Sequence, residues 1–309
     1  MESPITLDGQ VAIVTGAGNG LGRSYALALA GRGAAVVCND VLGDAAEATA
    51  ADIVEQGGRA CAETSSVATP EGGEAIVTTA VETYGSIDVV VNNAGQIRNA
   101  AFDEMSVQDF RDVLDTHLFG SFHVTQPAFR HMKAAGYGRI VFTSSAASFG
   151  FPGQANYGTA KAGLLGLCNT VALEGAQHGI KTNAIMPMAL TGIGNRGRPD
   201  YAPEDGQDLA DALRPLAPNM TVDNVAPFVV YLASPQCAYN RYVFSVGCGH
   251  VARVFLGATR GWYAPGLAGF TTEDVEANLD AVCDLTEFGV PETMSDEARY
   301  ISRHLPGGS

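Results

Sequence analysis

The sequence predicts an α/β fold, in which a doubly wound parallel seven-stranded sheet carries helices on both faces and a C-terminal extension follows. Short runs rich in Val, Ile and Ala recur along the chain, and longer amphipathic or Ala-rich stretches separate them. A glycine-rich turn follows the first of these runs directly. Continuous apolar strands separated by helices are typical of a parallel sheet buried on both faces, with ligands bound beyond the carboxyl ends of its strands.

The seven predicted strands are apolar at most positions, and a helix-like stretch follows all but the last. The strands span residues 11–15, 35–39, 59–64, 89–92, 139–144, 181–185 and 242–246. The helices span residues 20–32, 45–56, 70–84, 107–134, 154–177 and 222–232. Residues 255–309 are less periodic and contain one acidic helix candidate at 272–284. We expect a single catalytic domain over residues 1–309, in which 255–309 form a C-terminal extension.

Composition narrows the class of partner. The chain has 309 residues, of which 46% are hydrophobic and 17% charged, and its formal net charge is −15. This charge disfavours a nucleic acid or an anionic membrane as the main partner. No apolar stretch reaches the ~20 residues of a membrane span, and the first ten residues lack a secretory pattern. We therefore expect a cytoplasmic protein with a small-molecule substrate. The six scattered cysteines and the histidines show no spacing typical of a metal site.

The first strand leads into the segment TGAGNGLG, residues 15–22. A strand, a tight glycine turn and a helix together present free backbone N–H groups and a helix N-terminus to a phosphate. Gly16 permits the turn, Gly20 lets the backbone approach a pyrophosphate, and Gly22 lets the helix pack closely on the strand. The Gly-Lys-Ser/Thr of a nucleoside-triphosphate loop does not occur here. The segment favours a dinucleotide over a glycine turn without a ligand.

The second strand ends at Asp40, eighteen residues after Gly22. A carboxylate at this position accepts hydrogen bonds from both hydroxyls of an adenosine ribose and repels a 2′-phosphate. Asn39, rather than a basic residue, precedes it. The sequence therefore predicts NAD as cofactor rather than NADP.

Three residues form a candidate catalytic group. Tyr157 and Lys161 are four residues apart and share one face of a helix, and Ser144 follows a predicted strand thirteen residues earlier. A Lys ammonium stabilises a phenolate and lowers the pKa of Tyr, which is near ~10 in water. The Ser144 hydroxyl can donate to a developing alkoxide or carbonyl oxygen.

The glycine turn, the segment NNAG at residues 92–95, Ser144 and the Tyr157/Lys161 pair together resemble the short-chain dehydrogenase/reductase family. The resemblance covers about residues 5–255. It implies a seven-stranded Rossmann sheet, a nicotinamide cofactor and hydride transfer between an alcohol and a ketone. It also implies that Tyr157 is the acid/base, that Lys161 holds the nicotinamide ribose, and that the chain forms a homodimer or homotetramer through the helix carrying Tyr157. The implied cofactor contacts are Gly16, Asn19, Gly20, Leu21, Asp40, Ser66, Val67, Asn93, Ala94, Gly95, Tyr157, Lys161, Pro187, Met188 and Thr191.

Two positions depart from the family pattern. The family places a water-binding Asn in the helix before the catalytic strand, and the matching residue here is His117. A catalytic role for His117 and a role as a buried, hydrogen-bonded helix residue both stay open. The Pro-Gly usual after the sixth strand is Pro187-Met188, with Thr191 nearby.

Further segments, such as GQANYGTAKAGLLGL and FSVGCGHVARV, resemble the (3R)-hydroxyacyl-CoA dehydrogenase branch of the family. That branch includes units of peroxisomal multifunctional β-oxidation enzymes and bacterial single-domain relatives. It implies an NAD-dependent oxidoreductase acting on 3-hydroxyacyl-CoA or a hydroxysteroid. A sugar or small-alcohol dehydrogenase and a catalytically silent NAD-binding regulator are the alternatives.

A CoA thioester requires local positive charge on this acidic protein. The loop after Pro187, about residues 189–222, is expected to select the substrate, and its cluster of Arg196, Arg198 and Arg214 is the favoured candidate. The other candidates are Arg98, Arg253 and Arg260.

Overall fold

The computed structural model describes residues 4–191, 206–267 and 269–305. It divides into two compact units, Met1–Arg253 and Val254–Ser309. In the described part of the first unit, one sheet has eight strands. They are β1 Val11–Thr15, β2 Ala35–Asn39, β3 Arg59–Glu63, β4 Val89–Asn92, β5 Gly138–Thr143, β6 Ile180–Met188, β7 Val243–Gly247 and β8 His250–Val254.

The strand order places a crevice at the centre of the sheet. The order is β3-β2-β1-β4-β5-β6-β7-β8, and all neighbouring strands from β3 to β7 pair in parallel. The chain runs outwards from β1 to β3 and then returns to β4 on the other side of β1. In such folds the carboxyl ends of the two central strands, here β1 and β4, open a ligand crevice.

Burial explains why these runs form strands. Every residue of β1, β2, β4 and β5 is buried, as expected for a parallel sheet covered on both faces. The predicted fold class is therefore confirmed. Strand β8 was not predicted from the sequence; it follows β7 through the two-residue turn Cys248-Gly249. Both turn residues have positive φ, 55° and 74°, as in hairpin turns that join antiparallel strands.

Helices follow the strands close to the predicted bounds. The helices of the first unit are α1 Gly20–Ala30, α2 Gly43–Glu55, α3 Pro70–Tyr84, α4 Val107–Leu114, α5 Gly120–Ala135, α6 Ala155–Gly175, α7 Gly206–Leu213 and α8 Ala226–Ala233. Local chemistry fixes several ends: Thr69 and Ser106 cap α3 and α4, and Gly136 ends α5 in the left-handed conformation.

The single helix predicted at residues 107–134 is interrupted. A π-helical segment, Asp115–Phe119, separates α4 from α5, and the Gly120 N–H bonds to the carbonyl of Asp115 five residues earlier. Such widened turns are often found at functional sites. His117 lies in the middle of this segment and is buried.

The second unit has its own small sheet. Strand β9, Ala258–Thr259, pairs antiparallel with β10, Phe288–Gly289. The predicted helix at 272–284 is two short helices, α9 Thr272–Ala277 and α10 Leu279–Val282, and α11 spans Met294–Arg303. The assignment of residues 255–309 as an extension of one catalytic domain stays a prediction. Among the described residues of the whole chain, no helix is long and apolar enough to cross a membrane.

Candidate active site

The glycine turn after β1 has no room for side chains. Gly16 has a φ of 65°, which disfavours other residues, and a Cβ there would lie 2.8 Å from the Ala94 Cα. A Cβ at Gly22 would lie 2.0 Å from the Gly16 carbonyl oxygen. The first turn of α1 therefore packs directly on the loop that precedes it. Gly16, Asn19, Gly20 and Leu21, in this loop and at the start of α1, line the cavity at this point.

Asp40 follows β2 and is fixed by two backbone donors. The Gly18 N–H donates to Oδ2 and the Leu42 N–H donates to Oδ1, both at 3.0 Å. A Cβ at Gly18 would lie 2.8 Å from Oδ2, so glycine is required for this close approach. Each carboxylate oxygen retains acceptor capacity towards the crevice.

The segment after β4 is tied to β1. The N–H groups of Asn93 and Ala94 both donate to Thr15 Oγ1 at 3.0 Å. The Asn93 side chain donates to the carbonyls of Thr15 and Gly16 at 3.1 and 3.3 Å. These bonds hold the floor of the crevice rigidly between the two central strands.

Ser144 and Lys161 lie together at the end of β5. The Ser144 Oγ donates to the carbonyl of Lys161 at 2.8 Å and contacts the Ser148 Oγ at 3.4 Å. The Lys161 Nζ donates to the Thr143 carbonyl at 2.5 Å. Ser144 and Lys161 are both buried, and burial lowers the pKa of Lys161 to about 7.

Tyr157 lies one turn before Lys161 on α6, and the Lys161 Nζ is 5.5 Å from its ring centroid. Burial raises the pKa of Tyr157, and a hydrogen bond with Ser145 offsets part of this increase. From the sequence, Lys161 is expected to lower this pKa. In the structure burial raises it instead.

His117 projects from the π-helical segment into the same group. Its ring stands edge-on to the Tyr157 ring, with centroids 5.1 Å apart. Burial, with a smaller contribution from the Lys161 charge, lowers the pKa of His117 well below its usual value. The imidazole is therefore neutral at pH 7. A Cβ at Gly95 would lie 2.2 Å from His117 Cε1, so the glycine of NNAG gives the ring its space.

These residues surround one cavity of about 600 Å³. All the predicted site residues line it except Met188, whose backbone pairs with Gly247 in the sheet. Gln96, Thr116 and Ser145 also line the cavity and were not predicted, since isolated polar residues carry no spacing signal. The missed lining residues also include Asn39, Val41, Leu42, Ala68, Thr143 and Ala189.

The cavity fits a dinucleotide. The lining includes the tight glycine turn after β1 and the fixed Asp40 carboxylate after β2. It also includes Ser144 after β5, on the other side of the two central strands, together with Tyr157 and Lys161. Among the described residues, no cluster of three or more His, Cys, Asp or Glu side chains could hold a metal ion.

The arginines considered for a phosphate-bearing substrate differ in their surroundings. Arg98 pairs with Asp109 and Asp112, at 3.1 and 2.9 Å. Arg214 pairs with Asp211, and Arg260 pairs with Glu287. The Arg253 guanidinium lies 3.9 Å from the Tyr242 ring centroid. The other two arginines of the favoured loop cluster, Arg196 and Arg198, lie outside the residues that the structure describes.

The short chain dehydrogenase family profile matches residues 10–198. With the fold and the Ser144, Tyr157 and Lys161 arrangement, this match shows that the chain belongs to the short-chain dehydrogenase/reductase family of oxidoreductases, which use nicotinamide cofactors.

The chain is also similar to several individual members of this family. The mouse peroxisomal multifunctional enzyme type 2 is 43% identical over 97% of this chain, which spans only 40% of that protein. The Mycobacterium tuberculosis putative short-chain type dehydrogenase/reductase Rv0148 is 42% identical over 90% of this chain and 95% of its own length. The full-length Drosophila melanogaster peroxisomal multifunctional enzyme type 2 superposes with a TM-score of 0.78 at 34% identity, covering 97% of this chain and 50% of that one.

Proposed function

We propose that this protein is an NAD-dependent dehydrogenase that interconverts a 3-hydroxyacyl thioester of coenzyme A and its 3-oxo form. The observation that carries the proposal is that one cavity brings Ser144, Tyr157 and Lys161 together with the glycine turn and Asp40. A catalytically silent regulator has no need of a buried Tyr and Lys one turn apart, whose charges are costly to desolvate.

Different residues of the cavity would hold successive parts of the cofactor. The glycine turn and the start of α1 would bind the pyrophosphate, and Asp40 the adenosine ribose. Ser66 and Val67 would meet the adenine, and the segment 93–95 would lie along the adenosine side. Lys161 would hold the nicotinamide ribose. A 2′-phosphate would face the Asp40 carboxylate, so NAD is favoured over NADP.

The cofactor supplies a hydride acceptor for the carbon that bears the substrate hydroxyl. The chain's own groups handle the proton. The Tyr157 phenolate accepts the hydroxyl proton, and the ammonium of Lys161 stabilises the phenolate beforehand. Ser144 donates a hydrogen bond to the substrate oxygen, for which its Oγ must turn from the Lys161 carbonyl that it contacts in the structure.

Apolar side chains on nearby loops favour an apolar substrate over a sugar. Phe149, in the turn after Ser144, is 72% exposed, and Leu190, just after β6, is 66% exposed. Phe102 is 82% exposed on a loop joined to this turn by the bond from the Ala100 N–H to the Gly153 carbonyl. Exposed apolar groups on adjoining loops are typical of a binding groove for an acyl chain or a steroid.

The names of relatives favour the acyl thioester. A Saccharomyces cerevisiae relative is a peroxisomal hydratase-dehydrogenase-epimerase, and a Synechocystis relative is a 3-oxoacyl-[acyl-carrier-protein] reductase.

A hydroxysteroid is the second candidate substrate, because it carries no phosphate. The carboxylate partners of Arg98, Arg214 and Arg260 neutralise much of the local positive charge that a CoA would use.

Turnover by purified protein tests the proposal. NADH formation would be measured with a 3-hydroxyacyl-CoA and with a 17-hydroxysteroid, for the wild type and Tyr157→Phe. We expect turnover of the acyl-CoA and a loss of ~10²–10⁴-fold in Tyr157→Phe, with NAD binding retained. The exposed Tyr239→Phe is the matched control and should keep full turnover. Turnover of the steroid alone would overturn the acyl-CoA assignment, and NAD binding without turnover of any alcohol would indicate the regulator.

Assembly as a homodimer or homotetramer through α6 and location in the cytoplasm stay predictions. Peroxisomal location belongs to the names of the eukaryotic relatives.

A further inference from the structure

Gln96, the residue directly after NNAG, makes an unusual set of contacts with the interrupted helix. Its side-chain amide nitrogen donates to the Asp112 carbonyl at 3.0 Å and to the Thr116 Oγ1 at 2.9 Å. A primary amide has two N–H donors, and both are used here. The side chain of Gln96 therefore joins the loop after β4 to the last turn of α4 and to the π-helical segment.

The main chain of Gln96 contacts the His117 ring. The His117 Nε2 lies 3.0 Å from the Gln96 nitrogen and 2.8 Å from its carbonyl oxygen. One ring nitrogen thus contacts both polar groups of a single peptide residue. The orientation of the imidazole therefore depends on where the main chain of Gln96 lies, and the side-chain amide fixes that main chain.

The His117 ring has few other contacts that would fix its orientation. Its Nδ1 is buried and has no hydrogen-bond partner among the described residues. The Cε1 atom of the ring approaches Gly95, which has no side chain, and the ring meets the Tyr157 ring edge-on. Displacement of the Gln96 main chain would consequently rotate or shift the imidazole against the phenol that performs the proton transfer.

We propose that Gln96 is a positioning residue of this active site: it holds the His117 ring, and through that ring it holds the Tyr157 phenol in its reactive orientation. The role deepens the proposed function and rests on it. Gln96 lines the cavity, but its amide donors are directed to the helix rather than left free for a substrate. The role requires a donor of this length. A Glu at this position would place acceptor oxygens against the Asp112 carbonyl, which is itself an acceptor. A Met would have a similar length but no N–H groups to donate.

A matched pair of substitutions isolates the effect. Gln96→Met removes the two donors and retains the length of the side chain. Gln108→Met is the control, because Gln108 is an exposed Gln of α4 whose amide bonds the Asp112 carboxylate at 2.6 Å and does not reach the loop after β4. We expect Gln96→Met to lower kcat about tenfold, with KM and the Kd for NAD within about twofold, since misplacement of a reacting group lowers rate more than binding. Gln108→Met should retain wild-type values.

A double-mutant cycle with His117→Ala distinguishes positioning from general stability. If Gln96 acts through the ring, Gln96→Met should lower kcat no further in the His117→Ala background. An equal further loss in that background would overturn the proposal. Melting temperatures of all four proteins would be measured, and a kcat loss that merely followed the melting temperature would overturn it as well.

A readout without turnover separates this proposal from the proposed function. In protein labelled with ¹⁵N-histidine, the His117 ring signals, assigned with His117→Ala, should shift in Gln96→Met and stay unchanged in Gln108→Met. Unchanged signals in Gln96→Met would refute the contact even if the enzyme oxidises 3-hydroxyacyl-CoA. Shifted signals in a protein that oxidises only a steroid would support the contact while the acyl-CoA assignment fails, and the cycle would then be run with the steroid.

Discussion

Removing the charge of Asp40 should reverse much of the preference for NAD. The perturbation is Asp40→Asn, which retains the size of the side chain. In the wild type, the N–H groups of Gly18 and Leu42 fix the two carboxylate oxygens, so their free acceptor positions are already oriented for ribose hydroxyls. Such preorganisation means that little entropy is lost when the ribose binds.

The magnitude follows from these contacts. Hydrogen bonds to a charged acceptor contribute about 1.5–3 kcal/mol, so NAD affinity should fall roughly 10–150-fold. A 2′-phosphate near the carboxylate is repelled by about 1–4 kcal/mol for charges ~4 Å apart, depending on local polarity. NADP affinity should therefore rise in the variant while NAD affinity falls.

Isothermal titration of NAD and NADP against both proteins measures the effect. Asp44→Asn is the matched control: it removes the same charge from an exposed residue in the first turn of α2. Its cofactor affinities should stay close to those of the wild type. Equal affinities of the wild-type protein for NAD and NADP would refute the reasoning.

Two further predictions concern the buried end of the cavity. Burial lowers the pKa of Lys161 to about 7, so between this pH and the ordinary value near ~10.4 the unfolded chain binds more protons than the folded one. The stability of the wild type should therefore rise with pH, whereas that of Lys161→Met lacks this contribution. In denaturant titrations without cofactor, the difference in free energy of unfolding between the two proteins should change by about 2 kcal/mol in favour of the wild type from pH 7.5 to 9. A difference that stays constant over this range would contradict the assigned pKa. Gly95→Ala places a Cβ 2.2 Å from His117 Cε1 and should lower turnover at least tenfold, whereas Gly166→Ala on α6, where a Cβ meets no atom within 4 Å, should retain it.

The sequence predicted the central sheet closely because burial on both faces leaves an unmistakable apolar pattern. Strands β1, β2 and β4 begin and end at the predicted residues. Gly16 and Gly22 were predictable for a related reason, since a backbone contact that excludes a Cβ permits one residue type. Strand β8 was missed because its residues are exposed or half-buried, so it lacks the continuous apolar pattern of the central strands.

The π-helical segment left no such pattern. Residues 107–134 contain apolar residues at helical spacing, and nothing in DTHLF opposes a regular helix. The widened turn coincides with contacts from Gln96, which is distant in sequence and carries an ordinary polar side chain. Contacts of this kind depend on the tertiary structure, so the family resemblance identified His117 as a departure but could not show what holds it.

The Tyr157/Lys161 pair shows why a motif does not by itself give the protonation state. Spacing alone suggests that the ammonium activates the phenol. In the structure burial raises the pKa of Tyr157 above its usual value near 10 and lowers the pKa of Lys161 to about 7. Because the two pKa values differ by more than about three, moving a proton from Tyr157 to Lys161 costs more than about 4 kcal/mol, before the attraction between the resulting charges is included. At the 5.5 Å between Nζ and the ring centroid, that attraction returns roughly 3 kcal/mol. The neutral pair is therefore favoured until another positive charge lies beside the phenol. An oxidised nicotinamide ring carries that charge and a reduced one does not, so we expect Tyr157 to act as a base with NAD bound and as an acid with NADH bound.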